Sequence, residues 1–300
     1  MTPSTLARLL RVRDWAKNLF VFAPLLFSGR LLASGLVPRA LITFAALCAV
    51  SSGLYLINDL LDIRRDREHP TKRLRPIASG AVRPVTAAVL TFALLAGGYG
   101  LLAAAGLPWL TVALTTGYLV LALLYSLYLK TKVIADVLTI AVGFVLRVLI
   151  GGASVGVAVT HWLILCTFLL ATFLGFSKRR HELAVLGVAG SRHRPVLTLY
   201  TEEFLDRMSM LTLAMTLTCY VLYTIAPETV SRFGTTALVY STLIVMFGLF
   251  RYLFLIHVKG LGSPVEALYY DRQIVLAIIA WVLYVVAVVY TMPALAGSVP

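Results

Sequence analysis

Apolar runs close to the ~20 residues needed to cross the hydrocarbon of a bilayer recur along this 300-residue chain, and they dominate what it can fold into. They fall at about 17–36, 40–61, 85–106, 109–129, 133–156, 160–177, 208–227, 234–257 and 273–295. Inside a bilayer every backbone N–H and C=O needs an internal partner, so runs of this length fold as helices. Composition excludes a soluble domain: 60% of residues are hydrophobic, 13% are charged, and the mean hydropathy is +0.92. The expectation is an all-α polytopic membrane protein of nine transmembrane helices. Residues 1–300 form a single transmembrane domain, with no low-complexity linker and no internal repeat.

Charge sets the expected orientation. With the N-terminus inside, most Lys and Arg residues fall on the cytoplasmic side; Arg30, Arg39 and Arg232 fall outside, and Arg147 lies deep within a span. Of the acids, only Glu228 lies outside. The C-terminus is then external, and the reactive chemistry faces the cytoplasm. The net charge of +13 is explained by this asymmetry rather than by a nucleic-acid partner. Residues 1–13 carry arginines, but no short apolar core with a cleavage site follows, so the first helix is expected to be retained. Cys48, Cys166 and Cys219 are widely spaced in apolar runs and read as buried hydrophobes.

The chemistry concentrates at the end of the second run, in YLINDLLDIRRDREHPTKRLRPIASG from Tyr55 to Gly80. On a helix wheel Asp59, Asp62 and Asp66 fall with Tyr55 and Asn58 on an arc about 100° wide. Acids followed by arginines also suit a solvated helix end. Here, however, Asn58 and Asp59 directly follow the apolar run, where acids are expensive, and Lys72, Arg73 and Arg75 follow in one short loop. Crowded carboxylates at a membrane boundary tolerate one another when a cation sits among them. The residues therefore read as a site for Mg²⁺ bound to a diphosphate, with Asn58, Asp59, Asp62 and Asp66 as ligands.

Other polar residues gather at the same boundary. Lys17 and Asn18 lie one turn into the first run, where anchoring by snorkelling is the alternative to a binding role. Tyr125, at the end of the fourth run, and Lys130, just after it, lead toward the fifth. Asp136 and Arg147 are eleven residues apart, hence on one face of a helix, and are expected to line one pocket. The sixth run ends in SKRRHEL, where Lys178, Arg179 and Glu182 exceed what topology requires. The hydrophilic stretch from there to Arg207, with Arg192, Arg194, Tyr200 and Glu202, is a natural lid.

The spacing Asn58-Asp59-x-x-Asp62-x-x-x-Asp66 resembles the first aspartate motif of the UbiA superfamily of intramembrane prenyltransferases. That resemblance implies nine helices around a cytoplasm-facing cavity in which the motif holds Mg²⁺ and a diphosphate. Aromatic prenyltransferases of the superfamily carry a second acidic motif after helix six, where this chain has the basic KRRHEL. With RDWAKN near the start, HPTKRLRPIASG after the first motif, and Lys130, Asp136 and Arg147, this departure resembles the decaprenyl-phosphate phosphoribosyltransferase branch.

The resemblance implies transfer of 5-phosphoribosyl from phosphoribosyl diphosphate to a polyprenyl phosphate in the cell membrane. Catalytic residues would be Asn58, Asp59, Asp62 and Asp66. Substrate-binding residues would be Lys17, Asn18, Tyr55, Lys72, Arg73, Arg75, Tyr125, Lys130, Asp136, Arg147, Lys178, Arg179 and Glu182. A pocket holding three anionic groups needs more cation than one Mg²⁺ supplies, which agrees with the basic loops. The alternative is prenyl transfer to an aromatic acceptor. A lipid-phosphate transporter fits less well, because the charges sit at one face and no repeat is seen.

Overall fold

A computed structural model of the chain describes residues 2–31, 33–68, 72–186, 195–260 and 264–296. Among the described residues the chain is helical throughout, with no strand. The α-helices are α1 Pro3–Leu9, α2 Ala23–Leu26, α3 Leu36–Leu61, α4 Ile63–Glu68, α5 Pro84–Ala104, α6 Trp109–Leu127 and α7 Ala135–Val155. They continue as α8 His161–Leu186, α9 Glu202–Ile225, α10 Pro227–Phe233, α11 Ser241–Lys259, α12 Pro264–Tyr270 and α13 Arg272–Ala296.

Eight of the described helices are long and apolar enough to cross a membrane: α3, α5, α6, α7, α8, α9, α11 with its preceding turn, and α13. Their outward faces carry large apolar side chains; Phe92 is 75% exposed and Trp109 79%. A surface of this kind belongs in lipid, and the chain is a multi-pass membrane protein.

The first expected span, 17–36, is not one of the eight. A 3-10 helix runs over Val12–Phe22 and passes into the four-residue α2, before the turn at Gly29 with its positive φ of 71°. Pro24 supplies part of the reason. It falls in the first turn of α2, where its missing N–H is not needed, so the helical ladder restarts there. Tight packing supplies another part. A Cβ on Gly151 of α7 would stand 2.1 Å from the Val21 carbonyl oxygen, so the segment lies pressed on bare backbone.

The molecule divides into two compact units. The first comprises residues 1–25, 32–132 and 146–158. Its centre is α3, which is apolar on every side, as suits a helix surrounded by others. Val21, Leu47, Val50, Leu54, Tyr118 and Ile150 form a buried cluster there. Close approach of α3 and α5 depends on Gly98, whose added Cβ would lie 2.8 Å from Val50. A second cluster of Leu9, Leu56, Ile77, Val82 and Ala87 packs the Pro76–Val82 segment, which follows the basic loop, onto the end of α3.

The second unit comprises residues 26–31, 133–145 and 159–300. Phe173, Leu213, Tyr252, Leu255 and Ile274 join α8, α9, α11 and α13. Val137, Phe176, Val196, Tyr200 and Leu205 fix the start of α7 against α8 and α9. The sequence expectation ends the sixth span near 177, but α8 continues to Leu186. Lys178, Arg179 and Glu182 therefore project from a helix and not from a loop. Of the expected lid, residues 187–194, including Arg192 and Arg194, lie outside the described residues.

Candidate active site

In the first unit α3 ends at Leu61, and Asp62 is its cap, with φ −99° and ψ 11°. The chain then re-enters a helix at Ile63, so the expected single face through Asp66 is bent at Asp62. Its backbone hydrogen bonds bridge the bend: Asp62 N–H donates to the Asn58 carbonyl and Asp66 N–H to that of Asp62. Asp59 and Asp66 are buried, and Asn58 and Asp62 are half-buried.

In the structure the three carboxylates of the expected ligand group Asn58, Asp59, Asp62 and Asp66 are paired with cationic side chains. Arg75 Nη1 donates to Asp59 Oδ1 at 2.9 Å and to Asp66 Oδ2 at 2.6 Å. Arg11 Nη2 donates to the same Asp59 oxygen. Asp62 turns instead to Lys130, whose Nζ lies 2.9 Å from Oδ2, with Arg65 at 3.8 Å from Oδ1. Cationic side chains thus divide the carboxylates. Among the described residues no three acidic, His or Cys side chains gather as a metal cage. The donor set still suits Mg²⁺. That ion binds through one or two carboxylates and takes its remaining oxygens from phosphates and water. Asp59 and Asp66 supply two hard oxygens converging on one point, which a cationic nitrogen occupies.

Around this pair the Arg11 guanidinium lies 4.9 Å from the Tyr55 ring centroid and the Lys17 ammonium 5.9 Å from it. Lys17 also pairs with Asp14 at 2.6 Å. Arg11 adopts a left-handed φ of 50°, unusual for a side-chain-bearing residue, as the chain turns from α1 toward the carboxylates. Lys72 is half-buried and Arg73 exposed in the 3-10 turn just before Arg75, and Tyr125 is half-buried in the last turns of α6.

Asn18 and Arg147 lie deeper in the same unit. Arg147 is 5% exposed; its Nε donates to Asn18 Oδ1 at 2.9 Å and its Nη2 to the Tyr118 hydroxyl at 2.7 Å. Asn18 is 1% exposed and donates to Ser51 Oγ and Cys48 Sγ. This network pins the 3-10 helix to α3 and α7, and Trp15 adds a bond to Ser52 Oγ at 3.0 Å. The sequence expectation gives Asn18 and Arg147 to the substrate; in the structure both also hold the segment that carries Lys17.

In the second unit Asp136 is fully buried. It accepts from Arg179 Nε at 2.7 Å and from the Tyr200 hydroxyl at 2.8 Å. Arg179 also reaches Glu182 at 2.8 Å, and Lys178 stands 3.8 Å from the same carboxyl group. Tyr200 in turn accepts the N–H of Ile134 at 2.6 Å. Ile134 has a φ of 66°, a strained value for a β-branched residue, and this bond holds it at the entrance to α7. Burial pushes the Tyr200 phenol above its ordinary pKa, so it stays a donor to Asp136 at neutral pH. Asp136 and Arg147 share a helix, as expected, and among their partners Arg147 has Asn18 and Tyr118 while Asp136 has Arg179 and Tyr200.

Sequence reasoning passed over Arg11 and Tyr200 as site residues. Arg11 reads as an interfacial anchor, and its contact with Asp59 spans 48 positions with no local signal. Tyr200 lies 64 positions from Asp136.

A decaprenyl-phosphate phosphoribosyltransferase of Mycolicibacterium smegmatis is 29% identical over 303 residues, covering 96% of this chain and 93% of the relative. One from Corynebacterium glutamicum is 30% identical over 289 residues, covering 95% and 86%. Among solved structures, a UbiA homolog from Archaeoglobus fulgidus bound to GPP and Mg²⁺ superposes with a TM-score of 0.70 at 19% identity. That superposition covers 95% of this chain and 99% of the other. The model of the UbiA prenyltransferase family matches residues 21–270, and the chain belongs to that family.

Proposed function

We propose that the chain transfers a 5-phosphoribosyl group from phosphoribosyl diphosphate to a polyprenyl phosphate and releases diphosphate. One observation carries this reading: the likeness to decaprenyl-phosphate phosphoribosyltransferases extends over nearly the whole of both chains. The cations beside the aspartates support it, because donor, acceptor and product are all phosphates. Arg11, Arg75, Lys17 and Lys130 lie in one unit with Asp59, Asp62 and Asp66.

In this reading Asp59 and Asp66 hold Mg²⁺, with Asn58 and Asp62 adjoining. When bound, the metal neutralises charge that builds on the departing diphosphate. The bond from sugar C1 to the diphosphate oxygen breaks, and its electron pair leaves with the diphosphate. A bond from C1 to an oxygen of the lipid phosphate forms on the opposite face. That nucleophile is already ionised near pH 7, so no general base is required. Lys17, Lys72, Arg73, Arg75 and Lys130 clamp phosphate oxygens, with Tyr55 and Tyr125 beside them. Arg147 and Asn18 hold the 3-10 segment, and Asp136, Arg179, Glu182 and Lys178 organise the basic end of α8.

The same reading makes residues 1–300 one catalytic domain in the cell membrane, with nine crossings, N-terminus in, C-terminus out and the site facing the cytoplasm. The positive-inside asymmetry supports this orientation. The ninth crossing is made by Val12–Leu26. A 3-10 helix rises about 2.0 Å per residue against about 1.5 Å for an α-helix, so a short segment reaches further.

Purified protein with Mg²⁺, a short polyprenyl phosphate and phosphoribosyl diphosphate should yield a polyprenyl phosphoribosyl phosphate by mass spectrometry. Prenyl diphosphate offered with an aromatic acceptor should yield nothing. Turnover of that second pair alone would replace this reading with prenyl transfer.

A further inference from the structure

Arg75 holds a position that only one cation can take. Its Nη1 stands within hydrogen-bond distance of carboxylate oxygens from both Asp59 and Asp66. A divalent ion bridging those oxygens would meet the guanidinium at a few ångströms, where like charges in a partly desolvated site repel strongly. Yet Arg75 is not locked in. Its side chain is 24% exposed, and it follows directly on the short 3-10 turn Lys72–Leu74. The carboxylates it joins are almost wholly buried, and Arg11 supplies a second guanidinium to Asp59.

We propose that Arg75 is an exchangeable counter-cation of the aspartate pair, which yields its place to a divalent metal only when a diphosphate arrives to receive the arginine. This deepens the proposed function and rests on its reading of Asp59 and Asp66 as metal-holding residues. Two physical costs explain the coupling. A metal arriving alone must expel Arg75 from both carboxylates and brings no anion in exchange. A diphosphate arriving alone meets buried carboxylates of its own sign. Arriving together, each relieves the other's cost: the metal takes the carboxylates, and the planar guanidinium turns to the phosphate oxygens, which it can bind in bidentate fashion. Linkage makes the effect reciprocal, so metal strengthens diphosphate binding by the factor by which diphosphate strengthens metal binding. Departure of diphosphate lets Arg75 close on the carboxylates again, which favours release of the metal.

The test titrates Mn²⁺ into the full chain in nanodiscs. Free Mn²⁺ is counted by electron paramagnetic resonance, with and without inorganic diphosphate, and a protein-free titration corrects for metal–diphosphate complexes. In the wild type, diphosphate should tighten Mn²⁺ binding about tenfold or more. Arg75→Gln should bind Mn²⁺ alone about tenfold more tightly than wild type and lose most of the gain from diphosphate. Arg75→Lys keeps the charge but not the fork, so its binding of Mn²⁺ alone should stay near wild type while the diphosphate gain shrinks. That variant carries the test if Arg75→Gln fails to fold. Equal Mn²⁺ affinity with and without diphosphate in the wild type overturns the proposal. So does Arg75→Gln binding metal no more tightly than wild type, or Arg75→Lys retaining the full gain. Absence of Mn²⁺ binding under every condition overturns the metal reading itself, whereas the other failures leave that reading standing.

Discussion

In the first unit Asp59 and Asp66 share Arg75, Asp59 also takes Arg11, and Lys130 serves Asp62; these cationic side chains remain between a fifth and a quarter exposed. In the second unit Asp136 and Arg179 face each other at 0% and 1% exposure, with Tyr200 also bonded to Asp136 and Glu182 to Arg179. The difference lies in reversibility. A partly solvated cation shared among acids can change partners at modest cost, because water replaces what it leaves. A desolvated pair cannot, because removing either member leaves the other a buried charge with less compensation. The first arrangement suits binding and releasing anions and a metal. The second suits holding the start of α7 and the end of α8 in place.

The sharpest way to break this comparison is to cut the buried pair. Asp136→Asn or Arg179→Gln should lower stability by about 3–5 kcal/mol, read as a fall in thermal midpoint and in yield of folded protein. An apolar replacement of both should recover part of the loss, because the two most desolvated charges are gone. A single variant with wild-type stability would place this pair in the exchangeable class.

Cutting the shared cluster should act the other way. Asp59→Asn or Asp66→Asn should reduce turnover on the order of 10²–10³-fold by analogy with the loss of other charge-stabilising groups. Thermal stability should change much less than for Asp136→Asn. Near wild-type turnover in either purified variant would remove the metal role from these residues. If the buried pair serves folding and the shared cluster serves rate, the two measurements should rank the variants in opposite order.

How far this contrast was legible in the sequence depends on how local each feature is. Eight of the nine spans rest on long uniform hydropathy, and helices appear there. The first does not follow because hydropathy cannot tell a 3-10 helix from an α-helix. Pro24 and the close approach of Gly151 to Val21 are part of what decides it, and the second is a tertiary fact. The aspartate spacing is local and was readable; the bend at Asp62 was not. Arg179 with Glu182 and Lys178 with Glu182 were readable as i,i+3 and i,i+4 pairs, which argue that α8 continues past 177. The pairing of Arg147 with Asn18 joins positions 129 apart, and that of Arg179 with Asp136 joins positions 43 apart. A spacing argument that sets Asp136 and Arg147 on one helix face says nothing about which neighbours claim them.

The smallest expected effect sharpens the comparison within the second unit. Tyr200→Phe removes one hydroxyl that both donates to Asp136 and accepts from the strained Ile134 N–H. Losing it leaves that N–H and a carboxylate oxygen short of a partner, at a cost of about 1–3 kcal/mol. The sign of the pH dependence follows from burial, which raises the native phenol above the unfolded value of about 10. The stabilisation is complete below that value and is lost as pH rises from there toward the native pKa, because the unfolded chain ionises first. Thermal midpoints of wild type and Tyr200→Phe should therefore differ by a constant amount through neutral pH and converge above about pH 10. A difference that does not shrink in alkali would mean that the hydroxyl acts through packing and not as a proton donor to Asp136.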